Sequence, residues 1–159
     1  GAQAAALPEE FFPDLYQRFA EPTVWRVYED VLPTLESLSS RGLKLAIISN
    51  WDERLRPLLA ALKLDTYFEA TIVSCEIGFT KPSPVIFELA ARKLGLSPAD
   101  VLHVGDSARE DVEGARAAGL QAVLIDRHGV AQAGQQISSL RELESGCGIS
   151  AIEQTHPPI

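Results

Sequence analysis

Residues 101–115 read Val101-Leu102-His103-Val104-Gly105-Asp106-Ser107-Ala108-Arg109-Glu110-Asp111-Val112-Glu113-Gly114-Ala115. The apolar run over 101–104 predicts a buried strand, and the polar turn after it opens a helix over 109–118. Asp106 therefore ends a strand, and Asp111 stands five positions further on, in the first turns of the helix. Acids favour a helix N-terminus through its dipole, which accounts for Glu110 and Asp111. It does not account for an aspartate ending an apolar strand. Two carboxylates so placed suit Mg²⁺, which takes one or two carboxylates with waters and substrate oxygens. Gly105 removes a side chain where backbone meets ligand. His103, between Leu102 and Val104, reads as a strand-packing residue.

Working outward, helices alternate with short apolar runs. Residues 8–20 predict a helix, or two broken near Pro13, and 24–27 an extended stretch. Val31, Leu32, Leu35 and Leu38 recur at helical spacing over 31–40, and Gly42 supplies the left-handed stop. A strand follows over 43–48, a helix at about 53–62 and a strand near 71–74. Pro84 opens a helix that Gly95 ends. Ser97-Pro98-Ala99-Asp100 reads as a capping box. Gly119 stops the 109–118 helix, a strand runs over 121–125 and a last short helix lies near 138–144. Glu9, Glu10, Glu142 and Glu144 read as solvated helix faces. Alternating helices and strands mean a parallel α/β sheet, whose ligands bind beyond the carboxyl ends of the strands.

Two more strand ends carry chemistry. Ser49-Asn50 offers a hydroxyl and backbone N–H groups to an oxyanion, and equally suits an ordinary capping pair. Lys81, stiffened by Pro82 and Pro84, offers a fixed cation beside a phosphoryl group; a lone loop lysine is also commonly just solvated.

The composition excludes several classes. The 159 residues are 46% hydrophobic and 23% charged, the profile of one globular domain with a core. Net charge is −8, from 14 basic and 22 acidic residues, and no basic run forms a patch for nucleic acid. No apolar run approaches the roughly 20 residues of a membrane span. Two cysteines, Cys75 and Cys147, make neither a disulfide framework nor a zinc site, so a reducing cytoplasm is the expected location. No G-x-G-x-x-G follows a strand, which removes dinucleotide binding. A phosphoacceptor receiver domain would place its acids before the hydroxyl, the reverse of the order here.

Taken together, Ile47-Ile48-Ser49-Asn50, Thr80-Lys81-Pro82 and Val104-Gly105-Asp106-Ser107 with Asp111 and Gly114-Ala115 resemble the haloacid dehalogenase-like hydrolase superfamily, helical-cap type, from about Val27 to Arg127. The resemblance implies a Rossmann-like parallel sheet with helices on both faces. It also implies that residues 1–24 are the remnant of a helical cap, 25–145 the hydrolase core and 146–159 a C-terminal tail. The implied activity is a Mg²⁺-dependent phosphatase acting on a small phosphorylated metabolite through an aspartyl-phosphate intermediate. Ser49, Asn50 and Lys81 would hold the phosphoryl group, Ser49 and Lys81 acting in catalysis, and Asp106 and Asp111 would position the metal. Glu110 departs from the pattern, where many relatives carry Asn.

A larger departure is the first motif, Asp-x-Asp at a strand end, which supplies the family's nucleophile. The eight aspartates are 14, 30, 52, 65, 100, 106, 111 and 126, and no two are separated by a single residue. The chain begins at Gly1 and holds no methionine. The expectation is that the central strand bearing the nucleophile is supplied by a missing N-terminal segment of the same protein or by another protomer. The alternative is a catalytically inactive relative acting as an interaction module.

Overall fold

Two parallel sheets carry the strands. In the computed structural model, which describes residues 10–129 and 136–144, β1 (Ala46–Ser49) pairs with β2 (Ala70–Val73), Ala46 opposite Ala70 and Ser49 opposite Val73. The second sheet runs β3 (Leu102–Gly105), β4 (Gln121–Ile125), β5 (Gln136–Ile137), also parallel throughout. β1 and β3 are not hydrogen-bonded to each other.

Helices weld the two sheets from both faces. On one face α5 (Pro84–Leu94) buries Ile86, Phe87 and Ala90 against Ala70 and Ile72 of β2 and Ala122 of β4. Phe87 and Ile86 are fully buried, each contributing roughly 1.5–3 kcal/mol. Pro84 occupies the first turn and Gly95, at φ 68°, ends the helix, where a left-handed residue costs glycine nothing. On the other face α2 (Val31–Ser40) presents Leu35 to Leu55 and Leu59 of α3 (Leu55–Ala61) and to Val73 of β2. One turn on, its Leu38 meets Val123 of β4, Ile137 of β5 and Leu143. The parallel α/β architecture with helices on both faces is therefore as the alternation predicts.

Burial across the sheets is inverted. The outer β2 holds Ile72 and Val73 at 1% and 0% exposure. Ile47 and Ile48 of β1, and Leu102 and Val104 of β3, are only half-buried. Strands in the middle of a parallel sheet are normally its most buried part. Here β1 and β3 each lack a strand neighbour on one side among the described residues.

Several local expectations need correction. Pro13 does not break the first helix: α1 runs Phe11–Arg18, and Pro13 sits in its first turn, where an N–H would have no partner. Residues 22–24 form a 3₁₀ turn, so the extended stretch begins only after Val24. The strand expected over 43–48 is confined to Ala46–Ser49, because only those residues find a ladder partner in β2. The strand expected near 71–74 is Ala70–Val73, and Ser74 already opens the short α4 (Ser74–Ile77). Ser97 makes no side-chain cap; the turn Pro98–Asp100 closes through Asp100 N–H to the Ser97 carbonyl, 3.0 Å. The real capping box is Ser139 with Glu142, on the 3₁₀ turn Leu140–Leu143 that replaces the last predicted helix. Glu142 is thus no solvated face: its Oε1 accepts the Ser138 and Ser139 N–H groups at 2.8 and 3.0 Å. The helix after β3 begins as a π-helical stretch, Ala108–Glu113, before α6 (Gly114–Ala117). β5 has no sequence signal, being two residues long. The expected tail 146–159 lies outside the described residues, as do 1–9, 130–135 and 145. Among the described residues no helix is long and apolar enough to cross a membrane.

Candidate active site

The carboxyl ends of β1 and β3 bring the predicted residues to one place. Lys81, in the loop before α5, extends its ammonium to Asp111 Oδ1 at 2.5 Å, both side chains largely withdrawn from water at 13% and 2% exposure. His103 Nε2 approaches the same oxygen at 2.8 Å, and the Ser107 N–H donates to Asp111 Oδ2 at 3.1 Å. Burial alone would raise the Asp111 carboxyl pKa. The hydrogen bonds from His103 and Lys81, with the Lys81 charge, outweigh it and hold the group well below the usual carboxylate range. Asp111 is therefore ionised, so the His103 nitrogen facing it carries the hydrogen.

Local sequence dictates this geometry. Gly105 is required because a Cβ there would lie 2.1 Å from Asp111 Cγ. The close approach is to the chain's own carboxylate, where the sequence suggested a ligand. Ser107 caps the following turn, its Oγ accepting the Glu110 N–H at 3.1 Å. The π-helical start, with Val112 N–H reaching the Ser107 carbonyl at 3.2 Å, holds Asp111 beneath β3. His103 packs edge-to-face on Phe87, ring centroids 5.1 Å apart, as a packing residue should. It also joins the site, which sequence reading missed; its period-two position facing α5 was the available signal.

Asn50 ties the loops together. Its Oδ1 accepts the Lys81 N–H at 2.7 Å, and its Nδ2 donates to the Lys81 carbonyl at 3.0 Å and to Glu110 at 3.3 Å. Its side chain thus fixes the backbone from which Lys81 projects. Ser49 ends β1 immediately before it, and its hydroxyl makes no hydrogen bond among the described residues.

Asp106 is exposed and has no hydrogen-bond or ion-pair partner among the described residues. An open carboxylate at a strand end fits Mg²⁺, which accepts a single protein carboxylate with waters and substrate oxygens. Asp111 is differently placed: both its oxygens are already taken by donors, which makes it the charge partner of Lys81. No group of three metal-binding side chains occurs among the described residues.

Beside Asn50, α1 and the loop after β1 border an open cleft of about 690 Å³, lined by Phe12, Phe19, Trp51, Asn50 and Thr80 among others. Arg54 fixes the loop to α1, its guanidinium lying 3.4 Å from the Tyr16 ring centroid and bonding the Tyr16 carbonyl.

A family model for haloacid dehalogenase-like hydrolases matches residues 1–119. Haloacid dehalogenase-like hydrolase domain-containing protein 3 of Bos taurus is 40% identical over 124 residues, 78% of this chain and 48% of that protein. A phosphoserine phosphatase of Thermus thermophilus is 36% identical, over 69% of this chain and 44% of the enzyme. In structure, the chain resembles a HAD phosphatase from Thermococcus onnurineus with a TM-score of 0.76 and 34% identity, covering 86% of this chain and 64% of that one. The chain spans about half the length of these sequence relatives. With its family model matched over most of its length, the chain belongs to the haloacid dehalogenase-like hydrolases.

Proposed function

We propose that this chain is the phosphate-holding and charge-balancing part of a Mg²⁺-dependent phosphatase acting on small phosphate monoesters. The observation that carries the reading is the Lys81–Asp111 pair, 2.5 Å apart, beside the ends of two strands that each lack a neighbour. The nucleophilic aspartate comes from an apolar strand outside this chain, from an N-terminal segment of the same protein or from another protomer, which pairs in parallel between β1 and β3.

In this reading the Ser49 hydroxyl and the Asn50 backbone N–H donate to the phosphoryl oxygens. Lys81 keeps one N–H on Asp111 and turns the others to the phosphoryl group, offsetting charge as the oxygens crowd. Asp111, made anionic and buried, aims that ammonium, with His103 holding the carboxylate from the opposite side. Asp106 would hold Mg²⁺, which when bound supplies charge neutralisation at the phosphoryl oxygens. The first aspartate of the incoming strand attacks phosphorus as the ester P–O bond breaks, and the second aspartate gives its proton to the leaving oxygen, so the alcohol departs and an aspartyl-phosphate remains. That second carboxylate then takes a proton from the water that attacks phosphorus, freeing inorganic phosphate and the first aspartate.

The test joins the chain to a synthetic apolar strand ending in Asp-x-Asp and measures phosphate release from p-nitrophenyl phosphate. The chain alone is expected to be inactive and the complex active only with Mg²⁺. Lys81→Ala should slow turnover by about 10²-fold or more, the scale of losing one charge-stabilising donor. Robust hydrolysis by the chain alone, or indifference of the complex to Lys81→Ala, refutes the proposal.

A further inference from the structure

Asp111 is 2% exposed, so its carboxylate depends on protein donors, and among the described residues it has three. Lys81 and His103 share Oδ1, at 2.5 and 2.8 Å, and the Ser107 N–H reaches Oδ2 at 3.1 Å. Two of these donors cannot move. The Ser107 N–H belongs to the backbone. His103 projects from β3, its side chain 12% exposed, and its ring stands edge-to-face on the fully buried Phe87 at 5.1 Å and 82°. Leu102 and Val104, on the opposite face of the same strand, pack in the cluster built on Leu38, which fixes the backbone behind the ring. Lys81, on its long flexible stem, is the one donor of the three that can lean elsewhere.

We propose that His103 is a positioning residue for phosphate binding: its ring N–H anchors Asp111 Oδ1, so that Lys81 can turn N–H groups to a phosphoryl group without stranding the buried carboxylate. The role rests on the phosphatase reading and adds a residue to it. A buried carboxylate that loses a partner carries an uncompensated charge. With His103 absent, Lys81 would be the only donor on Oδ1, and any lean toward phosphate would weaken the last bond to that oxygen. Lys81 would then stay closer to Asp111 and hold phosphate less well. With His103 present, Oδ1 keeps a donor whichever way the ammonium turns. His103 acts through Asp111 and Lys81 and does not itself touch the phosphoryl group.

The experiment follows inorganic phosphate binding to the 159-residue chain in MgCl₂ by calorimetry. Lys81→Ala should weaken phosphate about tenfold or more, the scale of losing a charged donor. His103→Phe keeps a ring against Phe87 but removes the N–H, and should weaken phosphate about fivefold. His103→Gln, which supplies an amide N–H instead, should bind within about twofold of wild type. Because His103 acts through Lys81, adding His103→Phe to Lys81→Ala should cost less than about a further 1.5-fold. In wild type, nitrogen–proton correlation spectra should place a hydrogen on His103 Nε2; that spectrum and His103→Gln decide the matter even where His103→Phe fails to fold. Phosphate held through Lys81 but bound equally well by His103→Phe overturns the positioning role alone. So does a loss that His103→Gln does not recover, a full fivefold loss in the Lys81→Ala background, or an Nε2 without hydrogen. If wild type binds no phosphate, or Lys81→Ala binds it as well as wild type, the phosphatase reading falls and the role of His103 with it.

Discussion

Asp30→Asn removes one charge from the point where three separate segments of the chain meet. Asp30 stands at the head of α2, and Arg127, just past β4, reaches its two oxygens at 3.0 and 2.8 Å. Ser139 Oγ and the Leu140 N–H donate to Oδ2 at 2.9 and 2.8 Å. Burial would raise this carboxyl. The Arg127, Leu140 and Ser139 hydrogen bonds and the arginine charge more than offset that and lower it from 3.8 to about 2. The side chains of Asp30 and Arg127 are 10% and 20% exposed, so solvent screens the pair little. A displacement of that size corresponds to about 2 kcal/mol of folding stability at neutral pH. The sign follows from the direction. A carboxyl depressed in the fold stabilises it fully above the unfolded value near 4, and that contribution is lost as pH falls through about 2. Urea unfolding followed by circular dichroism should therefore show Asp30→Asn less stable than wild type by about 2–3 kcal/mol at pH 7. The gap should narrow to about half near pH 3. A gap below about 0.5 kcal/mol at pH 7, or one that does not shrink on acidification, would refute the reasoning.

Two glycines give further tests. Gly105→Ala places a Cβ 2.1 Å from Asp111 Cγ, so Asp111 must leave Lys81; stability should fall by about 3 kcal/mol, read from the urea midpoint, and the Lys81 ammonium resonance should move in NMR spectra. Gly114→Ala would be expected from helix propensity to stabilise by about 1 kcal/mol. Its Cβ instead meets Phe87 Cε2 at 2.8 Å and Pro82 Cα at 2.9 Å, so thermal unfolding should show a loss of about 1–3 kcal/mol.

Periodicity determined the parallel α/β class from sequence, because buried strands and one-sided helices impose different spacings of apolar residues. The site was legible for a related reason: Ser49 and Asp106 each stand where an apolar run stops, strand ends of such sheets share one edge, and Lys81 stands in the proline-stiffened turn that opens α5. Asp111 was found as an acid in a first helical turn, yet its role as the partner of Lys81, thirty residues away in sequence, was not. That pairing, and the Asn50 clamp on the Lys81 backbone, depend on distances set by how α5 and the π-helical stretch pack. His103 was read as a strand-packing residue, and it does pack, on Phe87, while its ring nitrogen's bond to Asp111 needed the third dimension. The missing Asp-x-Asp was plain in the sequence. The division into two sheets with half-buried inner strands became visible only in the fold, because a strand's neighbours are chosen by tertiary packing and leave no mark on its own residues.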